Sequence, residues 1–250
     1  MSIIPVYRGE FGLKVMWHAP RIYARGAGHT IEIEAGDEAL YPLAREWRVV
    51  PRVPDAQRTQ PPRIAGPVQL FQPQPHVAQA VGAVDVVIAP RKRAYAASKN
   101  WPHWARVVQA LEHAGLRVFA GGVEDASDTT VTCDAAWYYP RPLDATLSAM
   151  HTARLVIGGC GGLPALAMLV GTPLLLFTYQ GMVAPGPVIN SRGQFVSTEY
   201  WPVRLQEYYH ANNHRGVPIT VVNGWEYPQF VVSKALEILR APKAGRRDCK

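Results

Sequence analysis

Residues 158–162 read GGCGG, between a short apolar run at 155–157 and an apolar segment in which Leu163, Leu166, Ala167 and Val170 recur at helical spacing. Strand, glycine loop and helix in this order present backbone N–H groups at a helix N-terminus, where the macrodipole favours an anion. The same glycines would serve equally to pack a helix tightly on a sheet, and the residues alone leave both readings open. The spacing is not the dinucleotide fingerprint G-x-G-x-x-G, and no Walker lysine follows. The candidate anion-binding set is Gly158, Gly159, Cys160, Gly161, Gly162 and Leu163. A helix start can activate a thiol. With no histidine partner evident nearby, Cys160 reads as a small packed residue rather than a nucleophile.

Three further groups of residues could do chemistry. Arg91, Lys92 and Arg93 follow a strand that ends at Ala89 and Pro90, and ligands of open α/β sheets sit beyond such strand ends. Arg91 and Arg93 are candidate phosphate ligands, a basic surface turn being the alternative. Glu10 is the one carboxylate of the loop Gly9, Glu10, Phe11, Gly12, after the first apolar segment. A carboxylate there can take a proton from a hydroxyl, or it can complement a helix N-terminus. Asp37 is the second choice for that base. Trp201, Tyr208 and Tyr209 mix with Arg204, His210, His214 and Arg215, as on a surface that stacks bases and tracks phosphates; a solvated flap has the same composition. Arg204, Tyr208 and Arg215, with Gly9 and Gly12, are further candidate binding residues. Trp137, Tyr138 and Tyr139 fit either a nucleobase wall or the core. His210 and His214 lie four apart but lack the glutamate of H-E-x-x-H, and there is no D-x-D, so no metal is expected.

The elements that must carry these residues alternate. The pattern predicts a strand over 2–7 and a helix over 13–24 with a kink at Pro20. A half-exposed strand over 29–35 follows, then a helix capped by Asp37 and running through 47, then a strand at 48–50. Residues 51–75 are rich in proline, glutamine and arginine and make the best linker, with a short strand at 68–71 and a short helix at 76–81 after it. The second half is more regular: strand 85–89, helix 102–114 closed by Gly115, and strand 116–120 ending at Gly121 and Gly122. A mixed aromatic segment at 131–139 and a helix at 143–152 precede the glycine loop. Its helix closes at Gly171, before strand 174–177. A long loop, strand 219–222, helix 227–240 and a basic tail complete the chain. Strands alternating with helices imply parallel sheets covered on both faces.

With 250 residues, 48% of them hydrophobic and 18% charged, the chain can build one or two α/β lobes with real cores. No apolar run reaches bilayer-spanning length, and the first residues do not read as a signal peptide. Three cysteines, Cys133, Cys160 and Cys249, fit a reducing, cytoplasmic setting without disulfides. The net charge of +7 points to anionic partners such as nucleotides, nucleic acid or phosphorylated glycans.

Val87, Ile88, Ala89 and Pro90, then Lys99, Asn100, Trp101 and Pro102, then a helix and a strand leading to Gly121 and Gly122 together resemble the opening of the donor-binding domain in lipopolysaccharide heptosyltransferases. The glycine loop with Gly171, Thr172 and Pro173 is similar to that family's I-G-N-D-S-G-x-x-H-L-A-x-x-x-G-T-P. The loop at 9–12 is similar in position to its G-x-x-G-D. The resemblance implies a GT-B fold: two Rossmann-like lobes with a cleft between them, here an acceptor-side lobe over 1–80, reduced in size, and a donor-binding lobe over 81–250. The last helix is open to packing back on the first lobe. The resemblance makes Lys99, from K-x-W-P, the first choice for the donor diphosphate, sets Arg91, Arg93 and the glycine loop on the donor side, and leaves Gly9, Gly12, Arg204, Tyr208 and Arg215 as the acceptor-side candidates. This sequence departs at Cys160, Gly161 and Ala165, where the family has aspartate, serine and histidine, and at Leu13, where it has the catalytic aspartate. A phosphate cradle made of backbone would survive those changes, while the sugar contacts would differ.

The resemblance implies a metal-independent glycosyltransferase that uses a nucleotide-sugar as co-substrate and no cofactor. The charge, the basic turn at 91–93 and the aromatic-basic segment at 199–215 favour DNA as acceptor, at a hydroxymethylated pyrimidine, as in viral DNA glucosyltransferases acting in a host cytoplasm. Transfer to an envelope glycan is the alternative. A non-catalytic nucleotide- or nucleic-acid-binding module and an epimerase share the same lobes.

Overall fold

The computed structural model describes residues 3–7, 19–23, 27–51, 82–92, 100–123, 127–131, 133, 135–139, 143–159, 161–177, 188–189, 195–197, 209–210, 213–222 and 227–241. The expected linker, the strand at 68–71, the helix at 76–81 and the tail all lie outside them.

The first lobe has a three-stranded parallel sheet. Strand β1 (Ile3–Ile4) pairs with β2 (Thr30–Glu34), and β2 pairs with β3 (Glu46–Val50). A short helical stretch, α1 (Ala19–Ile22), buries Ala19 and Ile22 beside them. Strand β2 was expected to be half exposed, but it is the central strand, and Ile31, Ile33 and Glu34 are all buried. Pairing on both edges and cover over both faces override the alternating pattern. Arg48 and Glu32 face each other in register and form an ion pair at 3.3 Å.

The helix expected from Asp37 through 47 does not form. A single 3₁₀ turn, Glu38–Leu40, stands there, and the Asp37 side chain makes no cap. Pro42 lacks an N–H and disfavours the helical conformation at Tyr41, which sits at φ −132° and ψ 56°, so the helix cannot propagate. The next residues, EWRVV, pair along β2 instead, as β-branched and aromatic residues favour.

The second lobe is a six-stranded, all-parallel sheet. Its strands are β4 (Val86–Ala89), β5 (Val118–Val123), β6 (Ala135–Tyr139), β7 (Leu155–Gly158), β8 (Leu174–Phe177) and a last strand, Ile219–Val222. Between the last two, Val188–Ile189 (β9) and Phe195–Ser197 (β10) form a separate antiparallel pair, so Ile219–Val222 is β11. The spatial order is β6-β5-β4-β7-β8-β11, the doubly wound order of a Rossmann sheet. Strands β7 and β8, LVIG and LLLF, are buried at every position, as strands covered on both faces must be. Strand β5 runs three residues past its pairing with β4 and ends at Val123 rather than before the glycines. Its outer edge is held by β6, where Gly121 and Gly122 stand opposite Trp137 and Tyr138.

Helix α2 (Trp104–His113) buries Trp104, Val107, Val108 and Leu111, one helical stripe. Each such aliphatic side chain contributes about 1.5–3 kcal/mol on burial. Gly115, at φ 79°, closes the helix as expected. Helix α3 (Asp144–Thr152) packs on α4 (Gly162–Val170), and α2 packs on the last helix, α5 (Pro228–Arg240). Right-handed crossovers set these two pairs on opposite faces. Helix α5 also contacts β7, β8 and β11. The Arg154 guanidinium donates to the carbonyl of Leu239 and pairs with Asp85 at 3.5 Å. These contacts hold α5 on the second sheet.

Candidate functional site

The order of the sheet reverses between β4 and β7, the switch point at which open α/β sheets bind ligands. Ala89 at the end of β4 stands in register with Gly158 at the end of β7. Chains leaving the two strands diverge to opposite faces, so a crevice opens beyond them. Arg91 and the glycine loop are its two sides.

The glycines of the loop have different tasks. A β-carbon on Gly158 would lie 2.7 Å from Cγ of Pro164 and 3.4 Å from Cβ of Ala89, so here tight packing is the reason for glycine. A β-carbon on Gly159 would make ordinary contact with Phe177, and one on Gly161 would meet nothing within 4 Å. Gly161 is fully extended, φ −179° and ψ −177°. Its N–H donates to the Tyr209 hydroxyl at 3.1 Å, and that hydroxyl donates to the Gly161 carbonyl at 3.2 Å. The N–H groups of Gly162 and Leu163 open α4 and, among the described residues, have no hydrogen-bond partner. Pro164 after them has no N–H. The loop therefore offers an anion Gly162 and Leu163, not the Gly161 N–H. At the other end of α4, Gly171 takes φ 94°, and the buried Thr172 hydroxyl donates to the Met150 carbonyl at 2.9 Å. The G-T-P sequence thus fastens α4 to α3.

The opposite side is built around Arg91. Its guanidinium donates to the Asn100 side-chain oxygen at 3.2 Å, joining the strand end to the K-x-W-P segment. Trp101 of that segment is 3% exposed and stacks on Phe177, with ring centroids 4.3 Å apart, while Trp104 meets both rings edge-on. Lys92 pairs with Asp128 at 3.3 Å. Burial opposes ionisation of Asp128, but hydrogen bonds from the Thr130 hydroxyl and N–H and from Lys92 outweigh it and hold the carboxyl below its usual range.

Sequence reasoning did not anticipate Tyr209. It appeared among aromatics of a nucleic-acid-facing surface, yet it is 1% exposed and turned inward onto the loop. Arg215, expected on the acceptor side, lies with its Cδ 3.9 Å from a β-carbon placed on Gly171. That is the far end of α4 from Gly161, across nine residues or about 13 Å of helix, away from the switch point. His210 is exposed. Strand β6 carries Trp137, Tyr138 and Tyr139 at the sheet edge. Glu10, Gly9, Gly12, Arg93, Lys99, Cys160, Arg204 and Tyr208 lie outside the described residues.

In the first lobe, Asp37 is buried with Glu34, Tyr7 and Tyr41 around the ends of β1 and β2. Burial first, then Asp37, Tyr7 and Glu34, push the Tyr41 hydroxyl well above its ordinary value. Among the described residues no group of three His, Cys, Asp or Glu side chains could hold a metal ion, and no helix is long and apolar enough to cross a membrane.

A doubly wound lobe with a glycine loop at its switch point, preceded by a smaller parallel sheet, defines an α/β fold of the GT-B glycosyltransferase kind. The fold is that of E. coli ADP-heptose lipopolysaccharide heptosyltransferase II, with a TM-score of 0.54 and 13% identity over 96% of this chain and 98% of that one. A glycosyl transferase family 9 protein from Veillonella parvula aligns over 95% of this chain and 96% of its own at 11% identity, with a TM-score of 0.48. The iron-containing dodecameric glycosyltransferase TibC of enterotoxigenic E. coli aligns over 77% of this chain and 63% of its own at 18% identity, with a TM-score of 0.43. No protein-family model matches the chain, and no curated protein matches its sequence.

Proposed function

We propose that this protein is a glycosyltransferase that takes a sugar from a nucleoside-diphosphate donor bound at the switch point and transfers it to a glycan hydroxyl. The observation that carries the reading is the register of Ala89 with Gly158, which sets Arg91 and the glycine loop side by side at the sheet's carboxyl edge. The fold shared with heptosyltransferase II, a protein named for ADP-heptose, supports the donor class and favours a glycan acceptor. The DNA reading loses part of its basis, because Tyr209 is buried and Lys92 is paired with Asp128.

In the reaction the acceptor oxygen attacks the anomeric carbon, the bond from that carbon to the diphosphate oxygen breaks, and the diphosphate leaves with the electron pair. Lys99, Arg91 and the N–H groups of Gly162 and Leu163 neutralise the leaving charge. Glu10 takes the proton of the acceptor hydroxyl.

Calorimetry with a panel of nucleoside diphosphates tests the donor site. Gly161→Val and Lys99→Ala should each weaken binding, and unchanged affinity in both would place the site elsewhere. Glu10→Gln should lower turnover about a hundredfold with donor affinity kept; near-normal turnover would remove Glu10 from the chemistry. Incubation with nucleotide sugars and either oligosaccharide or hydroxymethylated DNA, read by mass spectrometry, separates the acceptors. Added mass on DNA alone would overturn the glycan reading.

A further inference from the structure

Among the described residues, no side chain of the loop itself caps the start of α4. Gly161 precedes α4 without one, and helix starts are ordinarily steadied by a serine, threonine, aspartate or asparagine at that position. The fully extended Gly161 points its own N–H and C=O along the same edge. One hydroxyl can therefore meet both, and the Tyr209 hydroxyl does so, from 48 residues further along the chain. Its ring is 1% exposed, so burial fixes the hydroxyl from behind. The remaining donors, Gly162 and Leu163, follow directly in the chain, and the direction of their N–H groups depends on how Gly161 is held. A β-carbon placed on Gly161 would meet nothing within 4 Å among the described residues, so the contact to Tyr209 is made by the Gly161 backbone and not by packing.

We propose that Tyr209 is a positioning residue for the donor diphosphate: by latching both backbone groups of Gly161 it aims the N–H groups of Gly162 and Leu163 at the phosphates. The inference rests on the donor site proposed above. Tyr209 does not touch the donor. It acts through the loop, and so on the phosphate portion of the ligand alone.

Tyr209→Phe keeps the buried ring and removes the latch. The variant should bind the preferred nucleoside diphosphate about tenfold more weakly, the scale of a lost hydrogen bond. Affinity for the parent nucleoside, which has no phosphate, should stay the same. Donor KM should rise by a similar factor with kcat within about twofold. Equal losses for nucleoside and diphosphate would mean a general structural role and overturn the proposal. Unchanged affinity for both would overturn it while leaving the donor site standing. If the wild-type protein binds no nucleoside diphosphate, the donor reading fails and the positioning role fails with it. Hydrogen exchange on the wild-type protein gives a check that does not depend on the variant folding: the Gly161 amide should exchange slowly, and rapid exchange would show that the latch is absent.

Discussion

The rings of Trp101 and Phe177 lie 4.3 Å apart at an angle of 32°. Trp101 belongs to the K-x-W-P segment, and Phe177 ends β8, where its ring also backs Gly159. One aromatic contact thus ties the Arg91 side of the crevice to the glycine-loop side, although the two segments are far apart in the chain.

Removing that wedge should be costly. Trp101→Ala leaves a cavity against Phe177 and Trp104, and a truncation of this size costs about 3–5 kcal/mol. Urea unfolding measures it. A loss well under about 1 kcal/mol would mean that the two sides are joined by something else.

Two glycines of one loop should respond in opposite ways. Gly158→Ala drives a β-carbon to 2.7 Å from Pro164 and should destabilise by about 1–3 kcal/mol. Gly161→Ala enters open space at an extended backbone angle and should leave the unfolding midpoint nearly unchanged. Equal effects would contradict the division between packing and binding glycines.

Tyr41 should set an alkaline limit. Its folded-state pKa is raised, so the folded protein holds the hydroxyl proton more tightly than the unfolded chain, which ionises near about pH 10. Stability is intact below that pH and falls as pH rises above it. Tyr41→Phe should lose less stability than the wild type between pH 9 and about pH 11. Parallel losses in the two proteins would count against the assignment.

Asp128 has the opposite sign. Its folded-state pKa is lowered, so its contribution is present above the unfolded value of about 3.9 and is lost as pH falls through the folded value. Asp128→Asn should be slightly less stable than the wild type at pH 7, by under about 1 kcal/mol because Lys92 is 58% exposed. The gap should close as acidification carries the pH through the lowered folded-state value. A gap that is constant with pH would show that the carboxylate charge is not the cause.

Much of the second lobe is legible in the sequence because its signals are local. LVIG and LLLF are apolar throughout, Gly115 and Gly171 stand where helices must stop, and the stripe of Trp104, Val107, Val108 and Leu111 is visible at helical spacing. The glycine loop can be read as strand, loop and helix from its own residues. Its partners cannot. That β7 lies against β4, bringing Gly158 beside Ala89 and creating the switch point, depends on strand pairing between distant segments. The same holds where local reading went astray. Alternation in TIEIE suggests one wet face, yet pairing on both edges buries Glu34. Asp37 looks like a helix cap, yet Pro42 and the pull of β2 on EWRVV end the helix after one turn. Tyr209 sits among exposed-looking polar residues, and only the packing of the chain along α4 turns its hydroxyl onto Gly161. Backbone propensity and hydrophobic period act over a few residues, whereas burial and hydrogen-bond partnership are settled by whatever the folded chain brings near.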